Sequence, residues 1–285
     1  IGCWGDSLTE QGYARYLGKY TGRAVLNYGL SSNTAFGVAC RYGAIPMFYM
    51  PQKLSSDLVR LHPAAPGPLQ GFSDQESEVR LEASLGGNWG HFQWDGRSAY
   101  FRYHDAVDPE PLMSRLHPLP RPQCGTEIDL SLLYEIPIVI WIGTNNLHRG
   151  DYTPGFILDC VKAMARRLRP GVWFSVMPLI NGPNDCRGSI GYERIIETNR
   201  LLRQHFPTNL VQVDGLDGRE LAIKHALAAS FDASAAERDH IPSCFMADDV
   251  HLTLGHGGGY DIVARLIAES LIERGVVDRQ STDSI

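Results

Sequence analysis

Short apolar runs alternate along this chain with stretches whose apolar positions recur at helical spacing. Apolar residues at helical intervals over 13–20 precede a short apolar strand at Val25–Asn27, which opens into the turn-rich 29–34 segment GLSSNT. Ile138–Ile142 is a continuous run of β-branched and aromatic residues, the pattern of a strand buried on both faces of a parallel sheet. A helix over Phe156–Leu168 follows, with Arg166, Arg167 and Arg169 where they complement its dipole and Pro170-Gly171 as a stop. The order continues as strand Val172–Met177, helix Tyr192–His205, strand Leu210–Val213, helix Arg219–Ala229 and a last helix over Tyr260–Arg274. Such alternation predicts an α/β fold: a three-layer α/β/α arrangement of the flavodoxin-like kind, with a five-stranded parallel sheet reached by right-handed crossovers.

Residues 45–123 break this rhythm. Pro-rich stretches bracket them, HPAAPGP at 62–68 and Pro109, Pro111, Pro118, Pro120 and Pro122 at the far side. Between the brackets, Val79, Leu81, Ala83 and Leu85 share one strand face, and Asp95-Gly96 separates HFQW from RSAYFRYH as a two-residue hairpin would. The segment reads as a small β-rich insert in the first crossover, dividing the main domain into 1–44 and 124–285.

Composition narrows the partners. A net charge of -6 and a pI near 5.9 exclude the basic footprint of a nucleic-acid binder, and no apolar run has transmembrane length. Six cysteines without metal or CxxC spacing read as thiols, and neither metal nor cofactor is expected. The chain starts at Ile1 with only four residues before its first turn, so it reads as trimmed from something longer, with any targeting segment missing.

In open parallel sheets the reactive groups gather beyond the carboxyl ends of the strands, and Ser7 and Asn145 both directly follow predicted strands. Gly5-Asp6-Ser7-Leu8 places a serine where helix-start amides stabilise developing negative charge, although Gly, Asp and Ser also serve plain capping. A serine nucleophile needs a base, and the base needs an orienting group. Asp248 and His251, three apart before the last helix, supply both; Asp249 and His256 are the rival carboxylate and base. Asn145 offers a side-chain amide to an oxyanion, and the 29–34 turn a backbone N–H.

Four blocks, GDSLT at 5–9, NYGLSSNT at 27–34, GTNN at 143–146 and DDVH at 248–251, resemble the SGNH (GDSL) hydrolase superfamily in order and placement. The resemblance covers residues 1–44 and 130–275 and leaves the insert outside. It implies Ser7 as nucleophile and first oxyanion amide, Ser32 as the second amide, Asn145 as the side-chain donor, and Asp248 and His251 as the rest of a triad. Ser32 aligns with a family glycine and lacks that residue's freedom at positive φ. Asn146 stands where the family usually carries aspartate.

The WGDSLT opening, CRYG at 40–43, the insert and the GTNN block look most like a subgroup of bacterial and phage-tail proteins that includes carbohydrate O-acetylesterases. This implies an esterase removing short acyl groups, foremost acetyl, from a carbohydrate in an extracellular or virion-associated setting. A lipase or thioesterase on the same scaffold and a non-catalytic carbohydrate-binding or tail module are the alternatives. Trp94 and Asn146 are the candidate substrate contacts. For Trp89, Phe92, Trp94, Tyr100, Phe101 and Tyr103 a small hydrophobic core is favoured over a sugar-stacking face.

Overall fold

The computed structural model describes residues 1–63, 79–95, 98–107, 114–118, 133–149 and 153–278. The Pro-rich bracket beyond 63, the one at 109–122 apart from Pro118, the turn residue Gly96 and Cys124 lie outside them.

Strands β1 (Gly2–Gly5), β2 (Leu26–Gly29), β9 (Ile138–Trp141) and β10 (Phe174–Val176) form one parallel sheet in the order β10-β9-β1-β2. Beyond β10 the fifth position is held by a single parallel bridge, Val176 to Leu210, with the Val211 N–H donating to the Val176 carbonyl at 2.9 Å. Past that bridge the chain leaves the sheet, because β11 (Gln212–Val213) turns back on β12 (Leu216–Asp217) through Asp214 and Gly215, both at positive φ. Counting core strands in chain order, the sheet reads 2-1-3-4-5, the flavodoxin-like order.

Alternation along these strands makes the three layers. Cys3, Val139 and Trp141 face a core shared with α1 (Ala14–Thr21), α5 (Gly218–Ser230) and α7 (Gly259–Glu273). Trp4, Ile138, Ile140 and Val176 face the opposite core, with α2 (Ala35–Arg41), α3 (Pro154–Ala165) and α4 (Ile190–His205). Both faces are covered, which is why these strands read as unbroken apolar runs. The helix starts follow local chemistry: Thr153 and Ser189 cap α3 and α4, and Asp217 with Glu220 forms a capping box on α5. Helices α2 and α6 (Ala233–Arg238) add to the predicted set.

The segment between α2 and β9 contains a closed six-stranded antiparallel barrel. Its strands are β3 (Met47–Lys53), β4 (Leu58–Pro63), β5 (Val79–Leu85), β6 (Asn88–Trp94), β7 (Ala99–Tyr103) and β8 (Ser114–Pro118), in the order β3-β4-β7-β6-β5-β8. The predicted hairpin is present one residue later than expected: Trp94 pairs with Ala99, and the Asp95 N–H donates to the Ser98 carbonyl at 3.2 Å. Tyr49, Val59, Leu61, Ala83, Leu85, Phe92, Trp94, Phe101 and Tyr103 point inward as a core of their own. Trp94 is therefore a core residue rather than a sugar-facing one, and the aromatic alternation serves barrel packing. Trp89 alone of the six aromatics is half exposed, at 51%. Among the described residues no helix is long and apolar enough to cross a membrane.

This inside-outside assignment predicts unequal responses to truncation. Phe101→Ala, from a fully buried position, should lower stability by about 3–5 kcal/mol in urea unfolding, whereas Phe48→Ala on the outer face should stay within about 0.5 kcal/mol. Equal losses would contradict the assignment.

Candidate active site

β1 ends at Gly5 because only glycine fits there. A Cβ would meet the Thr9 hydroxyl at 2.0 Å and the Trp141 carbonyl at 2.4 Å. Asp6 then acts as the cap of the following helix: its carbonyl accepts from the Thr9 and Glu10 amides at 3.1 and 3.0 Å, and its Oδ1 accepts from the Leu8 amide at 3.0 Å. Ser7 thus occupies the first turn at the carboxyl edge of the sheet, 7% exposed, and a wide π turn over Thr9–Tyr13 leads into α1.

The second block is pinned to this turn. Asn27 Nδ2 donates to the Glu10 carbonyl at 3.0 Å, and the Glu10 carboxylate accepts from both the amide and the hydroxyl of Ser31. Ser32 follows at φ 63°, so it adopts the left-handed conformation that the aligned glycine position calls for, despite its side chain. In the third block Gly143 sits at φ 119°, again a glycine conformation, and lifts Asn145 into place. Asn145 Nδ2 donates to the Asn33 carbonyl at 2.9 Å, which fixes the amide plane; Nδ2 has a second hydrogen for a ligand oxygen. Asn146 turns the other way. It is buried, and its Oδ1 accepts from the Ala35 amide at 2.8 Å at the start of α2, so it positions the second block rather than touching substrate.

The fourth block carries the best-defined pair. Asp248 Oδ1 accepts from the amides of Val250 and His251 at 2.8 and 2.6 Å, while Oδ2 lies 2.7 Å from His251 Nδ1. The proton on Nδ1 is thereby fixed, and Nε2 is the nitrogen left for base chemistry; it is buried with no hydrogen-bond partner among the described residues. Burial opposes ionisation of Asp248, but these backbone and imidazole hydrogen bonds outweigh it and hold the carboxyl at about 2. The rivals stand elsewhere: His256 is 80% exposed and faces buried Asp261 at 3.3 Å, and Asp249 makes no bond to His251, lining instead a cleft with Leu8, Asn145, Ile180 and Val250. That cleft, about 230 Å³, brings the first, third and fourth blocks to one place.

Two buried ionisable groups lie at the Ser7 turn. Asp6 is pushed up to about 7 by burial, against the Leu8 hydrogen bond and attraction to His251 and Arg41. Arg41, 6% exposed, donates from Nε to Asn33 Oδ1 at 2.6 Å, from one Nη to the Tyr28 carbonyl at 3.1 Å and from the other to the Gly5 carbonyl at 3.1 Å. Burial lowers it to about 10, so it stays charged at neutral pH, supported by Glu10 and Asp6. The sequence marked CRYG only as a family-like block; the role of Arg41 depends on acceptors 8, 13 and 36 residues away.

The fold is a doubly wound α/β arrangement with Ser7, Asn145 and the Asp248–His251 pair in the turns and loops around its parallel sheet. Among solved structures the chain is similar to a member of the lipolytic G-D-S-L family from Veillonella parvula DSM 2008, at 13% identity over 96% of both chains and a TM-score of 0.46. It is also similar to a peptidoglycan O-acetylesterase, at 13% identity over 96% of this chain and 90% of that one, TM-score 0.36. No protein-family model and no curated protein matches the chain.

Arg41→Met would take a charged donor from three buried acceptors, of which the Gly5 carbonyl keeps the Leu30 amide, and should destabilise the protein by about 3 kcal/mol; Arg41→Lys should recover only part, since one ammonium does not span three directions. Urea midpoints of both variants check this. Asp6 adds a pH signature. Between its ordinary value and about 7 the unfolded chain has lost this proton while the folded protein retains it, so stability falls as pH rises through that window. Asp6→Asn should remove that decline, and unchanged slopes from pH 4 to 8 would contradict a proton held on Asp6.

Proposed function

We propose that this protein is a serine esterase that removes short acyl groups through Ser7, His251 and Asp248. The observation that carries the reading is the Asp248–His251 pair, which fixes the imidazole tautomer and leaves a buried, unengaged Nε2 in the neighbourhood of the Ser7 turn. In this mechanism Ser7 Oγ attacks the ester carbonyl while His251 Nε2 takes its proton. The tetrahedral oxyanion is held by the amides of Ser7 and Ser32 and by Asn145 Nδ2. Collapse expels the alkoxide, which takes the proton back from His251 and leaves an acyl-Ser7; water then repeats the cycle and releases the carboxylic acid. Asp248 stays ionised throughout.

The cleft of about 230 Å³ is lined by Leu8 and Val250, the neighbours of Ser7 and His251 in sequence, and by Asn145; it is smaller than the roughly 300–1,000 Å³ of pockets for drug-sized ligands, which supports a small acyl group over a long chain. Acetyl on a carbohydrate is the substrate implied by the WGDSLT, CRYG and GTNN blocks.

Initial rates on p-nitrophenyl esters from acetyl to long acyl chains, with wild type beside variants, test the proposal. Rates should fall with chain length, Ser7→Ala should lose on the order of 10⁶ in turnover and Asn145→Ala about 10²–10³. Because Asp248 titrates only near pH 2, the acid limb of the profile should lie well above its titration. Ser7→Ala with wild-type turnover would sink the mechanism, and a preference for long chains would sink the short-acyl assignment.

A further inference from the structure

We propose a divalent transition-metal site, of the kind zinc occupies, on the outer wall of the barrel, formed by Glu82, His91 and His104. Glu82 on β5 is paired directly with His91 on β6. His104, the residue after β7, donates its backbone N–H to the Trp89 carbonyl at 3.0 Å, which sets it two residues from His91 along β6. On all three strands the neighbours that point into the barrel are the flanking residues: Ala83, Phe92 and Tyr103. The three donor side chains therefore share the outer face, and none belongs to the cleft that Leu8 and Asn145 line.

The donors already converge. His91 Nδ1 is 3.0 Å from Glu82 Oε1, His104 Nε2 is 3.6 Å from Glu82 Oε2, and one atom from each residue lies within 4.8 Å of the others. Tetrahedral ligands at about 2.0–2.2 Å from zinc stand roughly 3.3–3.6 Å apart, so small side-chain rotations close the set. The two imidazole rings lie 4.9 Å apart at 64°. Ion pairing alone is a poor reason for this grouping, since two imidazolium ions at that distance repel each other around a single carboxylate. A divalent cation satisfies two neutral imidazoles and one carboxylate together. Nitrogen donors select zinc-like ions over calcium or magnesium, which prefer oxygen. Binding would clip β5, β6 and β7 together, a staple suited to a barrel with so small a core.

The test is zinc titration of the chelator-treated protein by calorimetry and thermal unfolding, with His91→Gln, His104→Gln and Glu82→Gln in parallel. Wild type should bind about one zinc equivalent that each substitution weakens by roughly 100-fold, and excess zinc should raise its unfolding midpoint by roughly 5 °C or more. His104 is 46% exposed, so its variant will fold even where the others fail. Hydrolysis of p-nitrophenyl acetate should not change with zinc, which separates this site from the ester chemistry. Absence of zinc binding at millimolar concentration, or binding that survives His104→Gln, would overturn the proposal, as would equal affinity for calcium.

Discussion

Arg41 places one guanidinium between the ends of two strands and the turn that carries Ser32 and Asn33, and the geometry around Ser7 depends on it. The Gly5 and Tyr28 carbonyls, at the ends of β1 and β2, receive its two terminal nitrogens, and Asn33 receives Nε. Asn33 in turn offers its carbonyl to Asn145, so one planar cation sets the spacing between the Ser7 turn and the amide across from it. A guanidinium suits this role because its donors diverge in a fixed plane, whereas a hydroxyl or ammonium cannot hold three acceptors in one orientation. Its aromatic neighbour reinforces the placement: the guanidinium carbon lies 5.8 Å from the Trp4 ring, and Trp4 stacks on Tyr28 with centroids 4.3 Å apart.

Burying that charge has consequences for the residues around it. Glu10 supports the cation and holds Ser31, the residue before the strained Ser32. Asp6 is too deeply buried to ionise readily even so, and this is consistent with its service as a cap whose Oδ1 needs to accept a single amide. The site thus joins a rigid charged floor to a more accessible wall. On the wall, Asp248 is 57% exposed and draws its low pKa from local hydrogen bonds rather than from the interior. The two halves respond to different perturbations: the floor is sensitive to loss of a hydrogen bond, the wall to the conformation of one loop.

Legibility in the sequence followed the range of the interactions. The strands β1, β9 and β10 and the helices α3, α4, α5 and α7 were readable because their signals are local, in apolar runs, caps and stops. The Asp248–His251 pair was readable for the same reason, its partners being three residues apart. The apolar pattern predicts a fifth strand over Leu210–Val213, yet the chain holds the sheet there through the single bridge at Leu210, since the turn at Asp214 and Gly215 pulls Gln212 and Val213 into a separate hairpin. Trp94 and Asn146 show the other limit. Which of the two alternating faces of a barrel strand turns inward is settled by closure of all six strands, and Asn146 meets an amide 111 residues away. Nor does the order Glu82, His91, His104 carry any metal-binding spacing; the register of β6 with β5 and β7 brings those side chains together.

Closure also explains how an insertion of this size coexists with an intact sheet. An open antiparallel sheet placed between α2 and β9 would present two edges able to pair with β2 at the end of the parallel sheet. In the barrel, β3 pairs with both β4 and β8, so its strand pairing is satisfied within the insert. The sheet needs from this crossover only that β9 return beside β1, and the direct pairing of Gly2 with Ile138 and Cys3 with Val139 shows that it does. The barrel core and the two sheet cores are accordingly separate sets of residues, with Leu30 of the site turn packed against the barrel as a point of contact. Leu30 stands two residues before Ser32, and its amide donates to the Gly5 carbonyl at 3.2 Å, the same oxygen that Arg41 holds. Any influence of the barrel on the Ser7 turn therefore has a short physical route, through one apolar side chain and the Gly5 carbonyl at the base of that turn.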